Sequence, residues 1–128
     1  MTEADFQSKF TTWKKYYLKG NAAYELKISK KNSIAFNRLE QHQRVALLSV
    51  KHDQFCYKIP DVGYDKKPFD MFCLSGEAYV VVMFYVTRGT KLFYVIDIDD
   101  WCAEEESSTR KSLTIERAEV IGRRYLLA

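Results

Sequence analysis

Residues 22–50, AAYELKISKKNSIAFNRLEQHQRVALLSV, constrain the fold more than any other part of the chain. The segment reads as a short strand, about 22–29, running into a helix. Successive side chains of a strand point to opposite faces. Tyr24, Leu26 and Ile28 therefore share one face, and Glu25, Lys27 and Ser29 the other. A carboxylate and an ammonium thus project side by side from an otherwise apolar strand. Charged groups seldom enter a core without a partner or a task. The plain alternative is a cross-strand ion pair on a face turned to water.

The elements around this strand set the architecture. A helix is predicted from about Thr2 to Lys19, with Thr2 and Asp5 as a capping-box-like start and Gly20 as its stop. Phe6, Phe10, Trp13 and Tyr17 recur in it at helical spacing. Glu3 falls on that apolar face, where a carboxylate also complements the helix N-terminus. After a polar connection, Lys30–Ser33, a second helix covers roughly Ala35–Val50. Its apolar seam is Phe36, Leu39, Ala46, Leu47 and Val50, and Gln43 lies within it. A buried amide must find partners.

Beyond that helix come a strand-like Phe55–Ile59 and a loop, Pro60–Pro68. Two hairpin signals follow. Phe69–Leu74 and Ala78–Val86 flank Ser75-Gly76-Glu77, and Leu92–Asp99 follows the turn around Arg88-Gly89-Thr90. An acidic stretch, a polar Ser107–Lys111 link and a helix from about Thr114 to Leu127 close the chain. The passage from 22 to 59 is long enough for a parallel crossover. The expectation is a single domain, 1–128, of the α/β (mixed α+β) class, with a central mixed sheet of about five strands flanked by helices.

Composition narrows the function. With 47% hydrophobic and 15% aromatic residues over 128 positions, the chain is suited to one packed core. There is no apolar run of the ~20 residues a membrane helix needs, and the N-terminus has no signal-peptide pattern. Cys56, Cys73 and Cys102 are widely spaced and odd in number, which argues against a disulfide framework or zinc site and for a reducing, cytoplasmic setting. The net charge of +3 conceals an asymmetry: residues 1–52 carry ten Lys/Arg against four Asp/Glu, and residues 53–128 ten against thirteen. A basic half holding the Glu-x-Lys strand suits a polyanion, although a solvated charged surface would read the same way.

Phosphodiester hydrolysis needs a divalent ion to polarise the phosphate and acidify a water, and a nearby lysine stabilises the developing charge. Glu25 suits the first requirement and Lys27 the second. One carboxylate is a poor metal site, so a second acid is needed. The candidates are Asp70 in Lys67-Pro68-Phe69-Asp70, Asp61 in Ile59-Pro60-Asp61, and Glu3, with Asp70 preferred to Asp61 on strand context. His42 reads as a surface or packing residue, and His52 has no partner at useful spacing. Asp97, Asp99, Asp100 and Glu104–Glu106 lack the spacing of a calcium loop and read as a solvated turn. Arg117, Arg123 and Arg124 are explained by helix-end solvation.

Glu25-x-Lys27 on a strand, followed by Phe36, Leu39, His42-Gln43 and Leu47 on a helix, resembles the heart of the PD-(D/E)XK nuclease superfamily, and most of all its Holliday-junction-resolvase branch. The resemblance covers residues 1–50. It implies a restriction-endonuclease-like core, with Glu25 as metal-binding acid, Lys27 as catalytic lysine, Gln43 as the helix glutamine reaching the site, and Glu3 as the first-helix acid. It also implies Mg2+, with Mn2+ as substitute, branched or duplex DNA as substrate, and a homodimer. One departure stands out. The family carries its metal-binding Asp on a strand before Glu-x-Lys, and only Leu18-Lys19-Gly20-Asn21 stands there in this chain. The Asp is therefore rearranged, with Asp70 or Asp61 in its place. If it is lost, the chain is a nuclease-like DNA-binding protein without catalysis, or a protein-interaction domain.

Overall fold

The computed structural model describes residues 1–17, 20–63, 66–85, 89 and 91–127. In chain order these form α1 (Glu3–Tyr17), β1 (Ala22–Ser29), β2 (Ser33–Ala35), a 3-10 turn at Phe36–Arg38, α2 (Gln41–His52), β3 (Phe55–Lys58) and β4 (Met71–Leu74). Then follow β5 (Glu77–Phe84), β6 (Leu92–Asp97), α3 (Ile98–Ser107), β7 (Ser112–Thr114), α4 (Ile115–Ile121) and β8 (Arg123–Leu126). The fold is mixed α+β. Its central sheet has four strands in the order β1-β5-β6-β8, with β1 and β5 parallel and the other pairs antiparallel. Among the described residues no helix is long and apolar enough to cross a membrane.

Strand β5 explains the sheet's construction. Its run Val80-Val81-Val82-Met83-Phe84 is buried throughout because both faces of the sheet are covered. On one face Val81 and Met83 join Leu26, Ile28 and Phe93 beneath Phe6, Phe10 and Trp13 of α1. On the other, Val80 and Val82 pack with Leu47 and Val50 of α2, Ile98 and Trp101 of α3, and Ala118 of α4. The first helix starts as its sequence implies: Asp5 N–H donates to Thr2 Oγ1 at 3.1 Å and Thr2 N–H to Asp5 Oδ2 at 3.0 Å. The expected end of that helix at Leu18–Lys19 lies outside the described residues, as do the Tyr17 side chain, Val86, and Arg88 and Thr90 of the expected turn.

Several expectations are corrected. The second helix begins at Gln41, six residues later than Ala35, because 33–35 pair with β7 and Phe36 and Leu39 are buried from a tight turn instead. The parallel partner of β1 is β5, so the crossover passes through α2 and beyond. The acidic stretch is α3, not a turn: Asp97 caps it by accepting from Asp99 N–H at 2.8 Å, where carboxylates are favoured. Lys51 binds Asp97 at 2.7 Å and Glu77 at 2.6 Å, and these hydrogen bonds hold its ammonium above the usual lysine range. The last helix stops at Ile121. A Cβ at Gly122 would stand 2.8 Å from Ile96 Cγ1, so only glycine lets the chain turn there. The residues after it alternate as β8, with Tyr125 stacked on Phe93 at 5.7 Å.

The hairpin expected around Ser75-Gly76-Glu77 does not form. β4 pairs with β3 in a separate two-stranded sheet, and β5 leaves it for the central one. The register sets Cys56 opposite Cys73, and the two are joined as a disulfide, which corrects the expectation of unpaired cysteines; Cys102 stays free. Gly76 makes the passage between sheets. Its φ is +155°, its N–H donates to Val50 O at 2.9 Å, and a Cβ there would lie 3.0 Å from Asn21 O. Gly76→Ala is expected to destabilise the protein by about 1–3 kcal/mol, read as a lower urea midpoint with an unchanged slope. An unaltered midpoint would show that the passage is not tight.

Candidate functional site

Register carries Glu25 and Lys27 to the face of the sheet that α2 covers. They stand beside Val80 and Val82 of β5, both fully buried. β1 ends the order of the central sheet, so the pair sits on a lateral strand under a helix. Lys27 is only 7% exposed, and its Nζ lies 3.4 Å from Glu25 Oε1. The Glu25 side chain keeps 30% of its surface in contact with solvent. This is not the wet-face ion pair of the alternative reading, since its ammonium end is inside.

The third member comes from α2. Gln43 Nε2 donates to Glu25 Oε1 at 3.0 Å, the oxygen that also faces Lys27. Gln43 Oε1 accepts the Glu40 backbone N–H at 3.0 Å, and the Glu40 side chain accepts from the Gln43 backbone. This is a capping box with Glu as N-cap. Because the N-cap fixes the carbonyl end of the amide, the NH2 end is left facing Glu25. One end of the Gln43 side chain is thus a backbone partner and the other a partner of Glu25. Sequence alone marks the box as Glu40-x-x-Gln43, a signal the helix boundary at Ala35 conceals.

The acids proposed as partners of Glu25 are held elsewhere. Glu3 Oε1 pairs with Arg38 Nη2 at 3.1 Å, and the same nitrogen donates to Ile28 O at 3.2 Å. Asp61 and Asp70 share one cation: Lys67 Nζ lies 3.0 Å from Asp61 and 3.2 Å from Asp70, with the two carboxylates 91% and 88% exposed. Among the described residues no three of His, Cys, Asp and Glu gather as a metal site. The donors at Glu25 are one carboxylate and one amide beside an ammonium, so a magnesium ion there would take its remaining octahedral oxygens from water and a substrate phosphate.

Other charged residues singled out in the sequence have partners away from the Glu25–Lys27 pair. His52 bonds Asp99 at 2.6 Å, a partner distant in sequence. Arg117 holds the buried Glu104 through two bonds of 2.7 and 2.8 Å, which keep the Glu104 carboxyl below its usual range. Arg124 pairs with Glu119 at 3.1 Å, and Arg123 lies over the Tyr125 ring. His42 is exposed at the start of α2, with Nδ1 3.4 Å from Glu40.

What sequence reasoning missed is the cleft. A cavity of about 660 Å3 opens over Glu25 and Gln43, walled by α2 on one side and by Phe55, Phe72 and Leu74 of the β3–β4 hairpin on the other. The alternation Phe55-Cys56-Tyr57-Lys58 is the signal for that wall. Neither Asp61 nor Asp70 lines it.

No family model matches the chain, nor does any curated protein or solved structure. The resemblance to PD-(D/E)XK nucleases therefore rests on the residues themselves.

Gln43→Glu tests the geometry. The introduced side chain keeps a capping acceptor but sets a second carboxylate against Glu25. The variant is expected to lose about 1–2 kcal/mol at pH 7, and the deficit to shrink as acidification relieves the like-charge repulsion. A deficit independent of pH would show that the two side chains do not meet.

Proposed function

We propose that the chain is a DNA endonuclease of the PD-(D/E)XK kind, resembling Holliday-junction resolvases and hydrolysing phosphodiester bonds of branched or duplex DNA. The observation that supports this most strongly is the meeting of Gln43 and Lys27 on one oxygen of Glu25. A strand Glu-x-Lys and a glutamine from the next helix are the three residues the resemblance assigns to such a site. Lys27 is the catalytic residue: an ammonium with little water around it offers its charge to a phosphate oxygen at greater strength than one in bulk solvent. Glu25 orients it and balances its charge while it waits. Gln43 is a positioning residue, holding Glu25 through the α2 cap. The excess of basic residues over 1–52 favours approach of a polyanion. Cutting both strands of a symmetric junction calls for two sites, hence a homodimer.

Mg2+ or Mn2+ belongs to this reading, and the acid that would complete its site is not beside Glu25. That single observation favours a second reading, a nuclease-like protein that binds DNA without cutting it. One set of experiments separates them. Purified protein with Mg2+ is expected to nick branched or duplex DNA, while Glu25→Gln and Lys27→Ala abolish cleavage and leave binding within a few-fold. Full activity in both variants would refute the site. Salt-sensitive DNA binding, no cleavage and no magnesium uptake by calorimetry would establish the second reading.

A further inference from the structure

The β3–β4 hairpin carries a row of aromatic rings that its own packing does not use. Phe55 and Leu74 face the core, and on the same face, further out, stand Tyr57 and Phe72, opposite one another in the register. The ring centroids run Phe55–Tyr57 6.2 Å, Tyr57–Phe72 5.9 Å and Phe72–Phe69 6.5 Å. Tyr57, Phe72 and Phe69 are between 41% and 51% exposed, an unusual outlay of ring surface on so small a sheet. Phe72 also walls the cleft above Glu25, so the row leads into the candidate site. The cleft's volume, about 660 Å3, is that of a small-molecule or single-nucleotide pocket.

We propose that this cleft receives an unpaired nucleotide of the DNA, its base stacked on Phe72 and its edge meeting Glu25 and Gln43. The inference rests on the reading of the Glu25–Lys27–Gln43 cluster as a DNA-acting site and names the substrate form it takes. Stacked duplex bases offer only their edges in the grooves, whereas an unpaired base offers a face to aromatic side chains and an edge to polar ones. The cleft has both. Its walls are rings and aliphatic groups, while on its floor Glu25 Oε1 takes the Gln43 bond and no described residue hydrogen-bonds Oε2. An apolar peptide or a second hairpin would cover the rings but leave that carboxylate dry and unmatched, a costly arrangement. Exocyclic amino groups of a base supply the missing donors.

The test uses the full chain in EDTA with gapped and fully paired oligonucleotides carrying 2-aminopurine. Wild type is expected to quench the probe where it is unpaired and to bind gapped DNA about tenfold or more tightly than duplex. Phe72→Leu, which keeps an apolar side chain but no ring, should lose the quench and that preference; Phe72→Trp should restore both. Equal quenching and affinity in Phe72→Leu would overturn the inference. So would sedimentation showing a wild-type dimer that Phe72→Leu dissociates, since the rings would then belong to a second copy. DNA cleavage in Mg2+ with no Phe72-dependent quench would overturn this inference alone. Phe72-dependent quenching without cleavage would uphold it and remove the hydrolase reading.

Discussion

A lysine whose ammonium is buried under a helix, on a strand whose neighbours are valines, is the constraint around which this molecule is arranged. Removing such a charge from water costs several kcal/mol unless partners replace the solvent. Glu25, two residues earlier on the same strand, is the partner for Lys27, and it too loses most of its water. Gln43 then supplies a hydrogen bond to Glu25 that solvent no longer gives. Its other end closes the capping box of α2, so the placement of the helix and the solvation of the ion pair are settled by one side chain.

From that follows the division of labour among the charged residues. Lys51, Arg117 and Arg38 each hold elements together: β5 to the α3 cap, α3 to α4, and α1 to β1. Lys51 and Arg38 meet acids that keep solvent access, Arg117 meets the buried Glu104, and all three are satisfied within the fold. The Lys27 cluster differs in that Glu25 and Gln43 lie at the floor of an open cleft with Lys27 buried beside them, and one Glu25 oxygen has no hydrogen bond among the described residues. A cluster that is satisfied on the inside and open on the outside is suited to meeting a ligand. In the proposed function, the aromatic hairpin above it is the surface on which that ligand stacks.

Much of this was legible in the sequence, for identifiable reasons. The two faces of β1 follow from the alternation over Tyr24–Ser29, and the α1 cap follows from Thr2 and Asp5. Gln43 stood out as a polar residue in an apolar seam. What the sequence concealed were pairings decided at long range. The Phe69–Leu74 run looks like a partner for the strand after Gly76, yet Gly76 turns β5 toward Asn21 and the parallel pairing with β1. Local pattern could not show that the 123–126 segment would complete the sheet, because Arg123-Arg124-Tyr125-Leu126 carries only a weak alternation. Nor could it tell that Lys67 would engage both Asp61 and Asp70, a matter of loop geometry.

The central claim is that Lys27 and Glu25 are kept for chemistry and not for stability. A buried ion pair replaced by apolar residues of similar volume leaves a fold as stable or more so, while removal of one member strands the other. Thermal unfolding of the Glu25→Leu/Lys27→Met double variant beside Lys27→Met alone tests this most directly. The account predicts a double variant melting at or above wild type, with the single variant below both. A double variant melting lower than the single one would contradict it, and would make the pair a structural tie.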